Sequence, residues 1–129
     1  DNDILYCLRG TVGKFGLVEN ISRGAIASSL VILRVGKESS ASFVYLFLDS
    51  ESAKNQLDEM RNGAAQPNLS ASSLASFKVV LPPLAEQKRI VEIVSSMDEV
   101  IRATKHAIRD LKALRRSLLT EILSVNDNG

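Results

Sequence analysis

The chain has 129 residues, 45% apolar and 24% charged, which is the make-up of an ordinary globular protein with room for one modest core. Its formal charge of +1 points to neither a nucleic acid nor an anionic membrane, and no apolar run reaches the roughly 18–20 residues that span a bilayer. A single cysteine, Cys7, excludes an intrachain disulfide and fits a reducing, cytoplasmic compartment, while the lack of Trp and the 5% of aromatics predict an aliphatic core.

The start, Asp1-Asn2-Asp3, is polar and lacks Met, so it reads as a cut inside a longer chain with no signal peptide. Ile4-Leu5-Tyr6-Cys7-Leu8 predicts a short strand, ended by Arg9-Gly10 and a glycine-rich turn to Gly16. Leu17-Val18-Glu19 predicts a second short strand. Ser29 to Val35 predicts the best one, rich in β-branched residues and bounded by Gly36. Ser42 is placed to cap a helix through Phe43 to Leu48, and Ser50 or Ser52 to cap another through Lys54 to Met60, with Gly63 as its C-terminal glycine. Pro67-Asn68-Leu69-Ser70 predicts a turn, fixed by Asn and Ser side chains, and Ser70 or Ser72 caps a single helical turn. Phe77-Lys78-Val79-Val80-Leu81 predicts a last strand, stopped by Pro82-Pro83.

From Leu84 to Val125 there is no Gly or Pro. One series of residues seven apart is Ile90, Met97, Thr104, Leu111, Leu118 and Val125; its partner series is Val94, Ile101, Ile108, Arg115 and Ile122. Only Thr104 and Arg115 are not apolar. Ile93, Val100, Ala107 and Leu114 widen the stripe beyond a two-stranded seam. The pattern predicts one helix of roughly 60 Å at 1.5 Å per residue, longer than a small domain can cover, whose stripe needs partners. Arg115 interrupts the seam, so it sets register or meets a partner carboxylate.

Little in the chain suggests catalysis. Gly10-x-x-Gly13-Lys14 has too few residues between its glycines for a phosphate loop, and Phe15 stands where Ser or Thr belongs. It reads as a tight β-turn. His106, the one histidine, falls opposite the apolar stripe, so a zinc site, a Ser-His-Asp triad and a Cys-His pair all lack members. Asp58-Glu59 and Asp98-Glu99 are sequence neighbours on different helix faces and read as solvated charge. No cofactor is expected, and a membrane-surface helix is disfavoured by mixed charge.

The run Gly63-Ala64-Ala65-Gln66-Pro67-Asn68-Leu69-Ser70, followed by Leu81-Pro82-Pro83-Leu84-Ala85-Glu86-Gln87-Lys88-Arg89-Ile90-Val91, strongly resembles the specificity subunits of type I restriction-modification systems. Asp3-Ile4-Leu5-Tyr6 with Arg9-Gly10-x-x-Gly13, and the ending Leu111 to Leu119, resemble the same family, so the likeness covers nearly the whole chain. It implies a non-catalytic subunit with two target-recognition domains, each followed by a long helix. The two helices pack antiparallel as a ruler and dock methyltransferase subunits, and an endonuclease subunit joins that core. Each recognition domain reads half of a bipartite site in double-stranded DNA. The methyltransferase motif Asn-Pro-Pro-Tyr/Phe is absent, and the early recognition-domain strands are missing here.

On this resemblance the expected fold is α+β. Residues 1–83 are the later part of a recognition domain of short strands and small helices. Residues 84–125 are the spacer helix of an antiparallel coiled coil, the second of its subunit, and 126–129 a polar tail. Arg9, Thr11, Lys14, Arg23 and Lys37, polar or basic and in or beside loops, are the candidate DNA contacts, each with plain surface exposure as an equal alternative. Ile90, Val94, Met97, Ile101, Ile108, Leu111, Leu118 and Ile122 are the candidate pairing residues, for a sister spacer helix or a second copy of the chain. A coiled-coil oligomerisation module without a DNA role, and the specificity subunit of a related type II system, remain the alternatives.

Overall fold

A computed structural model describes residues 2–19, 23–61 and 68–124. The chain divides into two units, Asp1–Val91 and a second from Glu92 on, taken separately below.

The first unit is built on a three-stranded antiparallel sheet: β1 (Asp3–Cys7), β2 (Phe15–Leu17) and β3 (Leu30–Arg34), in the order β2-β1-β3. The central strand pairs Ile4 with Leu17 on one side and Leu33 on the other, and Tyr6 with Phe15 and Val31. Ile4 and Tyr6 share one face and are buried, as period-2 alternation requires. Three short helices follow: α1 (Ala41–Asp49), α2 (Glu51–Arg61) and α3 (Ala71–Ala75). Leu48, Leu69 and Leu74 complete the buried cluster with Ile4 and Tyr6. The Leu69 N–H donates to the Leu8 carbonyl at 3.0 Å and ties that segment to the end of β1.

The core is not purely aliphatic, contrary to expectation. Phe15 stacks on Tyr6 with ring centres 6.0 Å apart, and meets Tyr45 edge-on at 5.1 Å. Three of the six aromatics thus meet at one place, where stacked and edge contacts add to burial. β1 and β3 differ from expectation by one residue at their ends, and three larger differences stand out. The second strand is Phe15–Leu17, not Leu17–Glu19, because the turn closes early at Lys14. Ser40, not Ser42, caps α1, its hydroxyl accepting from the Phe43 N–H. Phe77–Leu81 is no strand. Its one ladder-like pairing is to a side chain: the Lys78 N–H donates to Gln56 Oε1 at 2.8 Å, and Gln56 Nε2 donates to the Lys78 carbonyl at 3.0 Å. A glutamine on α2 thus does what a neighbouring strand would do. Ser50 ends α1 and begins α2, its hydroxyl accepting from the Ala53 N–H. Ser70 caps α3. Gly63, Gln66, Pro67 and the polar tail lie outside the described residues.

The long helix α4 runs Leu84–Ser124, 41 residues. Pro83 supplies its first acceptor, taking the N–H groups of Glu86 and Gln87 at 2.9 and 3.0 Å. Its first two turns, through Val91, belong to the first unit. From Glu92 on, only Val94 is partly buried; every other described residue to Ser124 is exposed, with Met97 at 59% and Leu111 at 65%. The fold class is therefore α+β, a small sheet with short helices and one long C-terminal helix.

Candidate functional site

The turn between β1 and β2 is shaped by two glycines with positive φ, Gly10 at 79° and Gly13 at 89°, a region other L-residues adopt only with strain. A Cβ on Gly13 would lie 2.7 Å from Leu57 Cδ2, so the turn is also pressed against α2. The Cys7 N–H donates to the Lys14 carbonyl at 2.8 Å, and the Gly13 N–H to the Cys7 carbonyl at 3.2 Å. The buried Cys7 thiol adds a bond to the Arg9 carbonyl at 3.0 Å and approaches Thr11 Oγ1 at 3.6 Å. The backbone is thus held from inside, and Arg9, Thr11 and Lys14 are left exposed around one tight loop. This is a turn, not a phosphate loop.

The other two candidate contacts do not join that loop. Arg23 is exposed in the connection from β2 to β3. Lys37 lies past the Arg34 end of β3, whereas the glycine turn lies at the Cys7 end of β1; the register sets Asp3 opposite Arg34 and Cys7 opposite Leu30. At the Lys37 end is an open groove lined by Asp3, Arg34, Lys37, Ser39, Ser42 and Lys88 among others. Arg34 grips Asp3 through two bonds of 2.9 and 2.7 Å, and that guanidinium holds the Asp3 carboxyl below its usual value. The basic candidates therefore occupy at least two separate ends of the sheet.

Gln87 was not singled out in the sequence, and it is the most constrained polar side chain described. It is fully buried at 0% exposure. Its Oε1 accepts from the Ser40 N–H at 2.8 Å; its Nε2 donates to the carbonyls of Glu38 and Pro82 at 3.0 and 2.8 Å. The amide thereby joins the first turn of α4 to the residues that open α1. A signal did exist: Gln87 stands seven residues before Val94, a polar residue where the seam would otherwise continue. Arg34 and Lys88 were likewise missed: Arg34 reads as part of the β3 strand, and only the folded groove brings Lys88 beside Lys37.

On α4, Ile90 and Val94 are half-buried, and Met97, Ile101, Ile108, Leu111, Leu118 and Ile122 are exposed. They fall on one face at heptad spacing. Beside that face runs a basic ridge, Arg102, Lys105, Arg109, Lys112 and Arg116, three and four residues apart in turn. Within the chain only Arg109 of these makes an ion pair among the described residues, with Asp110 at 3.0 Å. No described helix is long and apolar enough to cross a membrane.

A small sheet with short helices that leads into one long helix is the α+β arrangement expected from the sequence. The chain belongs to the family of type I restriction modification DNA specificity domains, whose model matches residues 1–113. It is similar to the type I restriction enzyme MjaVIII specificity subunit of Methanocaldococcus jannaschii, 26% identical over 124 residues. It is also similar to the EcoKI specificity subunit of Escherichia coli, 25% identical over 132 residues. These alignments take in 96% and 94% of this chain but 28% of each relative, so the chain spans little more than a quarter of their length. A putative type I specificity subunit, MjaX, from the same archaeon matches over the same share at 24% identity.

Proposed function

We propose that the chain provides DNA recognition and scaffolding within a type I restriction-modification complex. It reads half of a bipartite site in double-stranded DNA and docks methyltransferase subunits through α4, with the endonuclease subunit joining the assembled core. It carries no catalysis of its own. The observation that carries this reading is the family match, which runs unbroken from β1 through the sheet and well into α4.

In this reading residues 1–83 are the recognition part and residues 84–125 the spacer. Arg9, Thr11 and Lys14 meet one stretch of backbone phosphates from the glycine turn, and Lys37 meets another from the groove at the opposite end of β3; Arg23 lies between them in sequence. Rigid turns suit this work, because phosphate contacts position a domain before base edges are read. The seam from Ile90 to Ile122 takes a sister spacer helix, or the same helix of a second copy. The test is a mobility shift of the parent protein with its modification partner over a salt series. Binding that prefers a split target and falls as salt rises supports the reading. Absence of binding at every salt concentration overturns it and leaves a coiled-coil module without a DNA role.

A further inference from the structure

We infer that α4 pairs with α4 of a second copy of this chain, antiparallel, in one register: Ile90 opposite the partner's Ile122, with Asp98 of each copy held between the partner's Lys112 and Arg115. This rests on the reading of α4 as a pairing helix and specifies its geometry.

Three features of the helix select the register. The first is Arg115, the one charged residue inside the seam. In a parallel pair it would face its own copy in the core, and Thr104 would face Thr104. An antiparallel pair sets it against the partner's Met97 instead, next to the partner's Asp98. The second is charge along the seam edge that holds Asp98, Lys105 and Lys112. Same-edge positions meet across an antiparallel pair, so Asp98 faces the partner's Lys112, and this happens twice by symmetry. Asp98, Lys112 and Arg115 are exposed and make no ion pair within the chain among the described residues. The third is where the seam can start. Gln87, which continues the series of Val94 and Ile101 toward the N-terminus, is fully buried with its amide already bonded. The usable seam therefore runs from Ile90 to Ile122, and its midpoint is His106. The charge pairs independently place the two-fold axis beside the same turn, where Lys105 meets its own copy. That is the one like-charge contact in the arrangement.

Neighbouring registers fail on the same residues. A slide of one heptad toward the N-terminus puts Leu118 against the partner's Gln87 and Glu121 against its Glu86. A slide the other way puts Lys105 against the partner's Lys112 on both sides of the axis, and carries Ile90 past Ser124. In the chosen register Val94 meets Leu118, Ile101 meets Leu111 and Thr104 meets Ile108. The widening residues Val100 and Leu114 close the other edge, which accounts for an apolar stripe broader than a two-stranded seam.

The experiment is sedimentation equilibrium of the 129-residue chain and two charge-reversed variants, alone and mixed, with helix content checked by circular dichroism. Asp98→Lys alone, and Lys112→Asp with Arg115→Asp alone, should each dimerise about tenfold or more weakly than the original chain, as like charges then meet at both clusters. The two variants mixed should form a heterodimer at close to the original affinity, because both clusters regain opposite charges. An original chain that dimerises while neither variant weakens overturns the register and leaves helix pairing intact. Weakened variants with no recovery on mixing overturn it as well. An original chain that stays monomeric at every concentration overturns the pairing of copies, while DNA reading stands or falls on the mobility shift.

Discussion

Gln87 has three hydrogen bonds and is fully buried. Gln87→Leu keeps the volume nearly unchanged but strands the Ser40 N–H and leaves the Glu38 and Pro82 carbonyls without their donor. Each buried polar group left unsatisfied costs about 1–3 kcal/mol, and burial of the apolar Leu side chain offsets part of the three losses, so the variant should lose about 2–4 kcal/mol, read as a lower denaturant midpoint at unchanged slope. Tyr6 responds to pH instead. Burial raises its phenol above the ordinary value of 10.0, with the nearby Arg61 charge opposing. The folded state therefore holds the proton to higher pH than the unfolded chain. The stability this gives is complete below about pH 10 and is lost as pH climbs toward the folded value. Tyr6→Phe should flatten the alkaline limb of a stability-pH curve and leave the neutral region little changed, as followed by thermal melts from pH 8 upward.

At the scale of elements, caps decide where helices begin. Ser40→Ala should cost about 1 kcal/mol, whereas Ser42→Ala, inside the first turn of α1, should cost far less; paired urea melts separate them. Both serines precede the same apolar run, and nothing local ranks them. What ranks them is Gln87, forty-seven residues downstream, which fixes the Ser40 backbone through its N–H. The long helix was legible because its stripe is periodic and its start is marked by Pro82-Pro83. The sheet was legible as strands, since β1 and β3 carry β-branched and apolar runs, but the end of β2 depended on how tightly the glycine turn closes. Phe77–Leu81 has the composition of a strand but no partner strand among the described residues, which composition does not report. For the candidate site, the turn residues Arg9, Thr11 and Lys14 were readable as one loop. The groove was not, because Asp3 and Lys88 reach it from parts of the chain far from the Arg34–Lys37 stretch.

For the molecule as a whole, the two units separate two kinds of substitution. Ile101→Asp with Ile108→Asp lies wholly in the second unit, on exposed positions of α4. Two carboxylates in an apolar seam should reduce the mass in light scattering to that of a monomer, while the near-ultraviolet signal of the Tyr6, Phe15 and Tyr45 cluster stays in place. A loss of that signal together with the mass would mean that the first unit depends on pairing to fold.

The buried amide of Gln87 also bears on how α4 comes to exist at all. Starting a helix is costly, because several residues must be fixed before the first bond closes, while each later residue is added at little cost. Here the first turn is held by Pro83 from behind and by residues 38–40 from the side, so initiation is a by-product of folding the sheet and α1. A helix started in this way should grow away from a fixed origin, with its far end the first to open. Amide hydrogen exchange in the unpaired chain should grade from slow near Gln87 to fast near Ser124. On the proposed reading of α4 as a spacer, such an origin fixes the point from which its length is counted.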